Sequence, residues 1–518
     1  MNVPENLKNK YSIVSDILIN SKEYYANLSR LQESDLQKPV QSWLDKGHES
    51  VAIVTGQTNN GKSFFVTTKL GPRWLANYGN LHILVAPHKS TLTPSELNVP
   101  YLRAAYEQGI FCETVFAAEN ESFSWVSVRK SLKQGVKVLL VISDKKLSEE
   151  FKNPNSIEII QSICETQKVL VTRDEMSYGT VSDWINYKEA TGYGNKLHKG
   201  VYINNLLQMW EWGCSLIGFT ATPHKELTGD LKPKPGYVYE IISEFPDKEN
   251  YKLHQAWIAE RVVLPPLDKN NWDDDVVVEY LQQTCEVARD RKNSINRLLR
   301  PFGLVDNENF LSMIMLETEP KKKPDPNKMH VGTLKRLIRQ YNIIPEDNEM
   351  MIVLETGWQI FNSKGELIDS GKGEIWQEII KSPDTKVTTL ASLYKLQYGV
   401  NFPNICHLTS FRCPTAKNTD GPVIIQGIQI LGRAVRSNLI GNGLSIVNEL
   451  VNRGLYSTVN SYLGYKNTFN VFGMDYKQPF WNDTFETFLD EYASEWATQV
   501  SPILFKENKF LNQLRKVV

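Results

Sequence analysis

The chain has 518 residues, enough for two sizeable cores, and its 41% hydrophobic and 23% charged residues exclude a disordered or collagen-like polymer. Its 58 Lys and Arg against 59 Asp and Glu give a net charge of −1, so no global basic field draws in nucleic acid and any such binding must use local patches. No uncharged apolar run reaches the roughly 18 residues that span a bilayer. The segment Met1–Tyr11 lacks the apolar stretch of a signal peptide. The expectation is a soluble intracellular protein, cytoplasmic if bacterial or phage-encoded. The six cysteines are far apart and form no C-x-x-C, which argues against a zinc ribbon or a disulfide framework and for buried reduced thiols.

In chain order, residues 1–35 read as a polar, helical N-terminal segment. From Val51 short apolar runs alternate with longer amphipathic stretches: Val51–Thr55, Leu81–Ala86, Val136–Ile142, Lys168–Thr172 and Ser215–Phe219. Their length and β-branched content suit buried parallel strands joined by crossover helices. The segment Leu227–Gly236, rich in Gly, Pro and Lys, reads as a hinge. A second α/β rhythm follows at Leu311–Thr318, Met350–Thr356, Lys386–Ser392 and Ile405–Phe411. Two of these runs are self-similar (Met313 to Thr318 and Met351 to Thr356) and read as two core strands of one sheet. The pattern then turns helical and aromatic-rich, with Tyr456, Tyr462, Tyr465, Phe480 and Trp481 among its residues. That stretch is expected to pack on the second domain. The expected domains are 1–35, 36–228, 229–455 and a helical extension, 456–518.

Gly56-Gln57-Thr58-Asn59-Asn60-Gly61-Lys62-Ser63 fits G-x-x-x-x-G-K-S/T, between an apolar strand and a plausible helix. The glycines let backbone N–H groups wrap phosphate oxygens at a helix N-terminus, where the dipole favours anions. Lys62 would reach the β- and γ-phosphates of ATP, and Ser63 would hold Mg²⁺. Asp174 and Glu175 follow the strand Lys168–Thr172 at the sheet edge where ligands bind. One carboxylate suits Mg²⁺, held with Ser63. The other can polarise an attacking water.

With these motifs in place, the chain resembles superfamily 2 helicases and translocases, which pair two RecA-like lobes. Gln41 lies upstream of the loop, where the family often has an adenine-reading Gln. Gly56–Ser63 resembles motif I and Asp174-Glu175 motif II. Ala86-Pro87-His88-Lys89 and Ser143-Asp144 resemble strand-end motifs that touch the nucleic-acid backbone in the family. Thr220-Ala221-Thr222 resembles motif III, which couples hydrolysis to lobe movement. Ser392 through Gly399 to Pro403 resembles motif V, with Ser392 taken as a nucleic-acid contact and Gly399 as a coupling residue. Gln429, Gly432, Arg433 and Arg436 fit motif VI. The resemblance implies two RecA-like parallel-sheet lobes in tandem, ATP and Mg²⁺ as cofactors, and nucleic acid as partner, DNA rather than RNA. Motif V is nearest to phage recombination helicases of the UvsW type and to restriction-enzyme motor subunits. Ser177, where close relatives usually carry His or Asp, and Asn401, where Asp is common, depart from the pattern.

Phosphoryl transfer is catalysed by positioning and charge, and an arginine finger can supply about 10³–10⁵ in rate. Arg433 and Arg436 are three residues apart, so on a helix they share a face. They could meet ATP if the two lobes close on it, with Gln429 beside them. Contacts to nucleic acid should go mainly to phosphates. Lys321–Lys323 and the set Arg289, Arg291, Lys292, Arg297 and Arg300 are candidate basic patches. Asp306 with Glu319 and Lys321 mimics a D…E-x-K nuclease site. The alternatives to a DNA motor are an RNA helicase, a non-motor ATP-gated clamp or partner subunit, and a nuclease-fused motor.

Overall fold

The structure is a computed structural model. It describes residues 36–46, 50–56, 61–86, 94–117, 122–176, 201–220, 239–244, 257–264, 272–317, 328–354, 357–373, 375–393, 404–411, 442–466 and 468–474. The chain divides into two compact units, one holding Leu28–Asp247 and the other Lys248–Thr415 with Val423–Val518.

In the first unit the apolar runs form strands because their β-branched and aliphatic side chains are covered on both faces. The elements are α1 (Lys38–Asp45), β1 (Val51–Thr55), α2 (Lys62–Phe65), a π turn (Val66–Leu70), α3 (Gly71–Asn77), β2 (Leu81–Ala86), α4 (Pro94–Glu107), β3 (Cys112–Ala117), α5 (Trp125–Lys133), β4 (Lys137–Ser143), α6 (Asp144–Glu150), α7 (Pro154–Thr166), β5 (Val169–Arg173), α8 (Val201–Glu211), β6 (Ser215–Thr220) and β7 (Tyr239–Glu244). The seven strands run in the order β3-β4-β2-β5-β6-β1-β7, and every pair is parallel. All carboxyl ends therefore lie on one edge. β1, β2 and β5 are buried at every position. Each fully covered Val, Leu or Ile contributes about 1.5–3 kcal/mol.

The second unit holds β8 (Trp257–Leu264), α9 (Asp274–Leu299), β9 (Leu311–Met315), α10 (Val331–Gln340), β10 (Glu349–Val353), β11 (Gly357–Phe361), β12 (Leu367–Lys372), α11 (Trp376–Lys381), β13 (Val387–Ser392), β14 (Ile405–Ser410), α12 (Asn442–Asn452), α13 (Tyr456–Lys466) and β15 (Thr468–Met474). Its eight strands run β12-β11-β10-β13-β9-β14-β15-β8, parallel except for the antiparallel β10-β11-β12 meander at one end. The self-similar strands β9 and β10 flank β13 in this one sheet. α9 crosses it with Val277, Leu281, Cys285, Ala288 and Ile295 buried in the core. Two α/β units in tandem, the first on a parallel sheet and the second on a mostly parallel one, are both present.

Several expectations change. The first sheet does not end at 228: β7 pairs with β1, and the unit runs to Asp247. The stretch from 456 is not wholly helical, because β15 adds a strand to the second sheet between β14 and β8. Tyr462 and Tyr465 are buried in the second core, as expected of a packed extension. Arg291 is also fully buried and donates to the Tyr465 carbonyl oxygen, so the α9 cations do not form one surface patch. Residues 1–35, Lys321–Lys323, Glu319 and the segment 475–518 lie outside the described residues. Five described cysteines are free, four of them buried. Among the described residues, no helix is long and apolar enough to cross a membrane.

Candidate nucleotide site

The first sheet's carboxyl edge is stitched together by backbone bonds. Gly56 N–H, leaving β1, donates to Thr220 O at the end of β6 (3.0 Å). Asp174 N–H donates to Val85 O (3.1 Å) and Met176 N–H to Phe219 O (2.7 Å). Because β6 lies between β1 and β5, these bonds hold the loop strand and the acid strand in one frame.

Gly61 has φ +84°, a left-handed conformation that glycine adopts without Cβ strain, and the chain turns there into α2. Phe65 N–H donates to Gly61 O (2.8 Å), which starts the helix on that glycine. Lys62 is buried, and its Nζ donates to Gly56 O at 2.7 Å. Its charge is thus turned onto the residue that follows β1. Ser63 is exposed, and its Oγ stands 3.3 Å from Asp174 Oδ2. An octahedral Mg²⁺ with oxygens at about 2.1 Å sets neighbouring ligands about 3 Å apart, so this hydroxyl and carboxylate suit two adjacent positions of that ion. Among the described residues no cluster of three His, Cys, Asp or Glu could hold a metal. A site of this kind needs none, since Mg²⁺ is commonly held by one carboxylate, waters and substrate phosphates.

Asp174 and Glu175 are half-buried. Glu175 has φ +50°, uncommon for a residue with a side chain and costing about 1 kcal/mol or more. Its N–H bonds Asp174 Oδ1 at 3.1 Å. Arg173, wholly buried before the pair, reaches round it. Nη1 donates to Met176 O (3.0 Å), while Nη2 and Nε meet Asp144 Oδ2 and Oδ1 at 2.8 and 3.3 Å. Burial pushes the Asp144 carboxyl above its ordinary value, against the pull of Arg173. Asp144, expected with Ser143 to be a strand-end contact for nucleic acid, is instead buried against Arg173, to which the sequence pattern assigns no role.

Behind the edge, His82 on β2 bonds Tyr101 OH through Nδ1 and Thr172 Oγ1 through Nε2, each at 2.9 Å. Burial lowers its pKa to about 3. The neutral ring ties α4 to the strand bearing the acid pair.

Gln41 lies on α1, half-buried, with Nε2 donating to Asp45 Oδ1 at 2.7 Å and to Tyr78 OH. It lines a cavity of about 250 Å³ with Phe65, Lys69, Arg73 and Trp74 from the helix after the loop. Thr220 is buried at the end of β6. Ser143 and Ser392 do not reach the surface. Ser143 is fully buried and its Oγ caps α6 by accepting from Lys146 N–H (3.1 Å); Ser392 is buried at the end of β13. Gln57, Thr58, Asn59, Asn60, Pro87, His88, Lys89, Thr222, Gly399, Gln429, Arg433 and Arg436 lie outside the described residues.

No family model and no curated protein matches the chain. Similar solved structures include the E. coli DExH-box NTPase HrpB, at 12% identity and TM-score 0.44 over 88% of this chain and 42% of that one. The DEAD-box helicase Mss116 bound to ssRNA and UDP-BeF is similar at 12% identity and TM-score 0.47 over 94% of this chain and 77% of that one. The DUF1998 helicase MrfA bound to DNA and AMPPNP is similar at 12% identity and TM-score 0.45 over 99% of this chain and 60% of that one.

Proposed function

We propose that the chain is an ATP-driven motor on nucleic acid, most simply a DNA helicase or translocase. The observation behind this reading is the meeting of Ser63 with Asp174 beside a loop whose Lys62 ammonium is turned onto Gly56. Gly56 to Gly61 cradle the triphosphate, Lys62 neutralises its β- and γ-phosphates, and Ser63 and Asp174 are the ligands for Mg²⁺. Bound Mg²⁺ would supply charge neutralisation on the phosphates. Glu175 orients the attacking water and accepts its proton. Gln41 is assigned to the adenine. Thr220, Thr222 and Gly399 couple hydrolysis to movement. Gln429, Arg433 and Arg436 complete the charge around the transferred phosphoryl group, an assignment resting on motif spacing alone. Pro87, His88 and Lys89 remain the proposed nucleic-acid contacts, and the buried Ser143 and Ser392 are withdrawn from that role.

DNA is chosen over RNA on the motif V resemblance. The test is ATP turnover across single-stranded DNA, duplex DNA, forked DNA and RNA. Turnover that rises with DNA and disappears in Lys62→Ala supports the reading. Equal turnover with and without every nucleic acid removes the motor. Stronger stimulation by RNA moves the substrate to RNA. Strand displacement separates a motor from an ATP-gated clamp. Glu175→Gln should stop turnover and keep ATP binding, because it removes the base and leaves the phosphate cradle.

A further inference from the structure

Arg173 and Asp144 form an ion pair wholly inside the first unit, with side chains 0% and 1% exposed. Burying two charges is expensive, and an apolar pair of similar volume often serves stability as well or better. The geometry suggests a different use. The guanidinium leaves the chain one residue before Asp174 and bonds the Met176 carbonyl oxygen one residue after Glu175. It therefore brackets the left-handed turn at Glu175. Asp144, at the first position of α6, holds the fork from the other side with both carboxylate oxygens. Met176 is pinned in turn by its N–H bond to Phe219 O. A backbone conformation that a glutamate does not prefer needs surroundings that over-determine it.

We infer that Arg173 and Asp144 are positioning residues that aim Glu175 at the attacking water. This rests on the reading of Asp174 and Glu175 as the hydrolytic pair. Arg173 touches no reacting atom, and its effect passes through the Met176 carbonyl and the turn. The pair should act on turnover and leave nucleotide affinity alone, because Gly56, Gly61 and Lys62 are held by β1, β6 and α2.

The test is the paired variant R173M/D144L in the full chain, which removes both charges and leaves neither unpaired. The expected result is a folded chain whose unfolding midpoint falls by a few degrees at most, because the Met176 carbonyl loses its donor while two buried charges are removed. Fluorescent ATP-analogue affinity should stay within about twofold, and kcat should fall by about 10²-fold, the scale of an ångström-sized misplacement. In the Glu175→Gln background the same pair should add little further loss, because the group it aims is already disabled. Arg173→Lys is the second variant. It retains a charge beside Asp144 and cannot fork to Met176 O, so it too should lose turnover at unchanged nucleotide affinity. A folded paired variant with wild-type kcat overturns the proposal. So does an equal fall in nucleotide affinity and kcat, or a full additional loss on top of Glu175→Gln. A wild-type chain without Lys62-dependent ATP turnover would instead sink the underlying reading. Lys62-dependent turnover indifferent to the clamp sinks this inference alone.

Discussion

Ser63 Oγ and Asp174 Oδ2 lie 3.3 Å apart although 111 residues separate them in the chain. The contact is long for a hydroxyl–carboxylate bond, which usually closes to about 2.5–3.0 Å. It is therefore a weak bond between groups brought together by the β1-β6-β5 order. Two hard oxygens so placed can both turn to one Mg²⁺. Asp174→Asn and Ser63→Ala should each raise the Mg²⁺ concentration for half-maximal ATP turnover by about tenfold or more, since loss of even an outer-shell partner can cost that much. Thermal unfolding should move little. A Mg²⁺ titration of turnover checks this, and an unchanged titration in both variants would separate these residues from the metal.

Gly218 on β6 lies under the acid turn. A Cβ there would stand 2.4 Å from Met176 Cγ and 2.8 Å from Met176 Cβ. The near part of a buried side chain cannot yield as a flexible tip would, so Gly218→Ala should displace the segment that carries Glu175. The expected outcome is a loss of about 1–3 kcal/mol in stability and a larger loss in turnover than in nucleotide affinity. Adding Met176→Ala removes the closest contact and should restore part of the turnover. Denaturant unfolding with steady-state ATP turnover measures both effects.

The placement of β1, of the turn into α2 at Gly61 and of the acid pair after β5 was legible because each lies in a contiguous motif whose neighbours set its place: an apolar strand before, a helix or turn after. The same logic found the largely buried parallel strands β1, β2, β4, β5 and β6 of the first sheet and β9, β10, β13 and β14 of the second. It failed where a residue's role depends on a distant partner. Arg173 meets Asp144 across 29 residues, and no local pattern announces that pair. Ser143 reads as a strand-end contact, but folding turns it inward as a cap. β3, β7, β8, β11, β12 and β15 were missed for another reason: each is short and interrupted by polar or charged residues, or lies at an edge. β12, an edge strand, is largely exposed and lacks the continuous apolar run of a central strand. β7 and β15 carry Glu or Asn within short apolar stretches.

His82 and His407 should govern acid stability, one in each unit. Both are fully buried and held at a pKa of about 3, by burial in both cases and additionally by the Arg291 charge for His407. An unfolded histidine titrates near 6.5. The unfolded chain thus binds more protons between about pH 3 and pH 6.5. Stability from each neutral ring is complete above the unfolded value and falls as pH drops, by up to about 1.4 kcal/mol per pH unit for each histidine. Asp144, with its pKa raised, contributes in the opposite sense, since the folded state holds that proton more tightly. Urea unfolding at pH 7 and pH 5 should show this loss, reduced in His82→Gln. A pH-independent midpoint over that range would contradict neutral burial.

Asp306 was a candidate nuclease ligand, and its surroundings assign it a structural task. Lys466 Nζ stands 2.9 Å from Asp306 Oδ2 and 2.7 Å from Glu308 Oε2, with Lys466 and Asp306 both wholly buried. Tyr462 OH donates to Asp306 Oδ2 at 2.8 Å, and the Lys466 ammonium lies 4.8 Å from the Phe310 ring centroid. The network fastens the end of α13 to the segment leading into β9. Lys466→Met would strand a buried carboxylate and should cost about 3–5 kcal/mol, whereas Lys466→Met with Asp306→Leu should recover most of that loss. Denaturant unfolding of the three proteins measures this directly. Nucleotide binding should be the same in all of them, because Lys62 and Ser63, the residues proposed for the phosphates and Mg²⁺, belong to the other unit. If the single variant is as stable as wild type, the pair does not fasten this part of the second unit. Equal instability in the double variant would show that α13 needs the charges themselves.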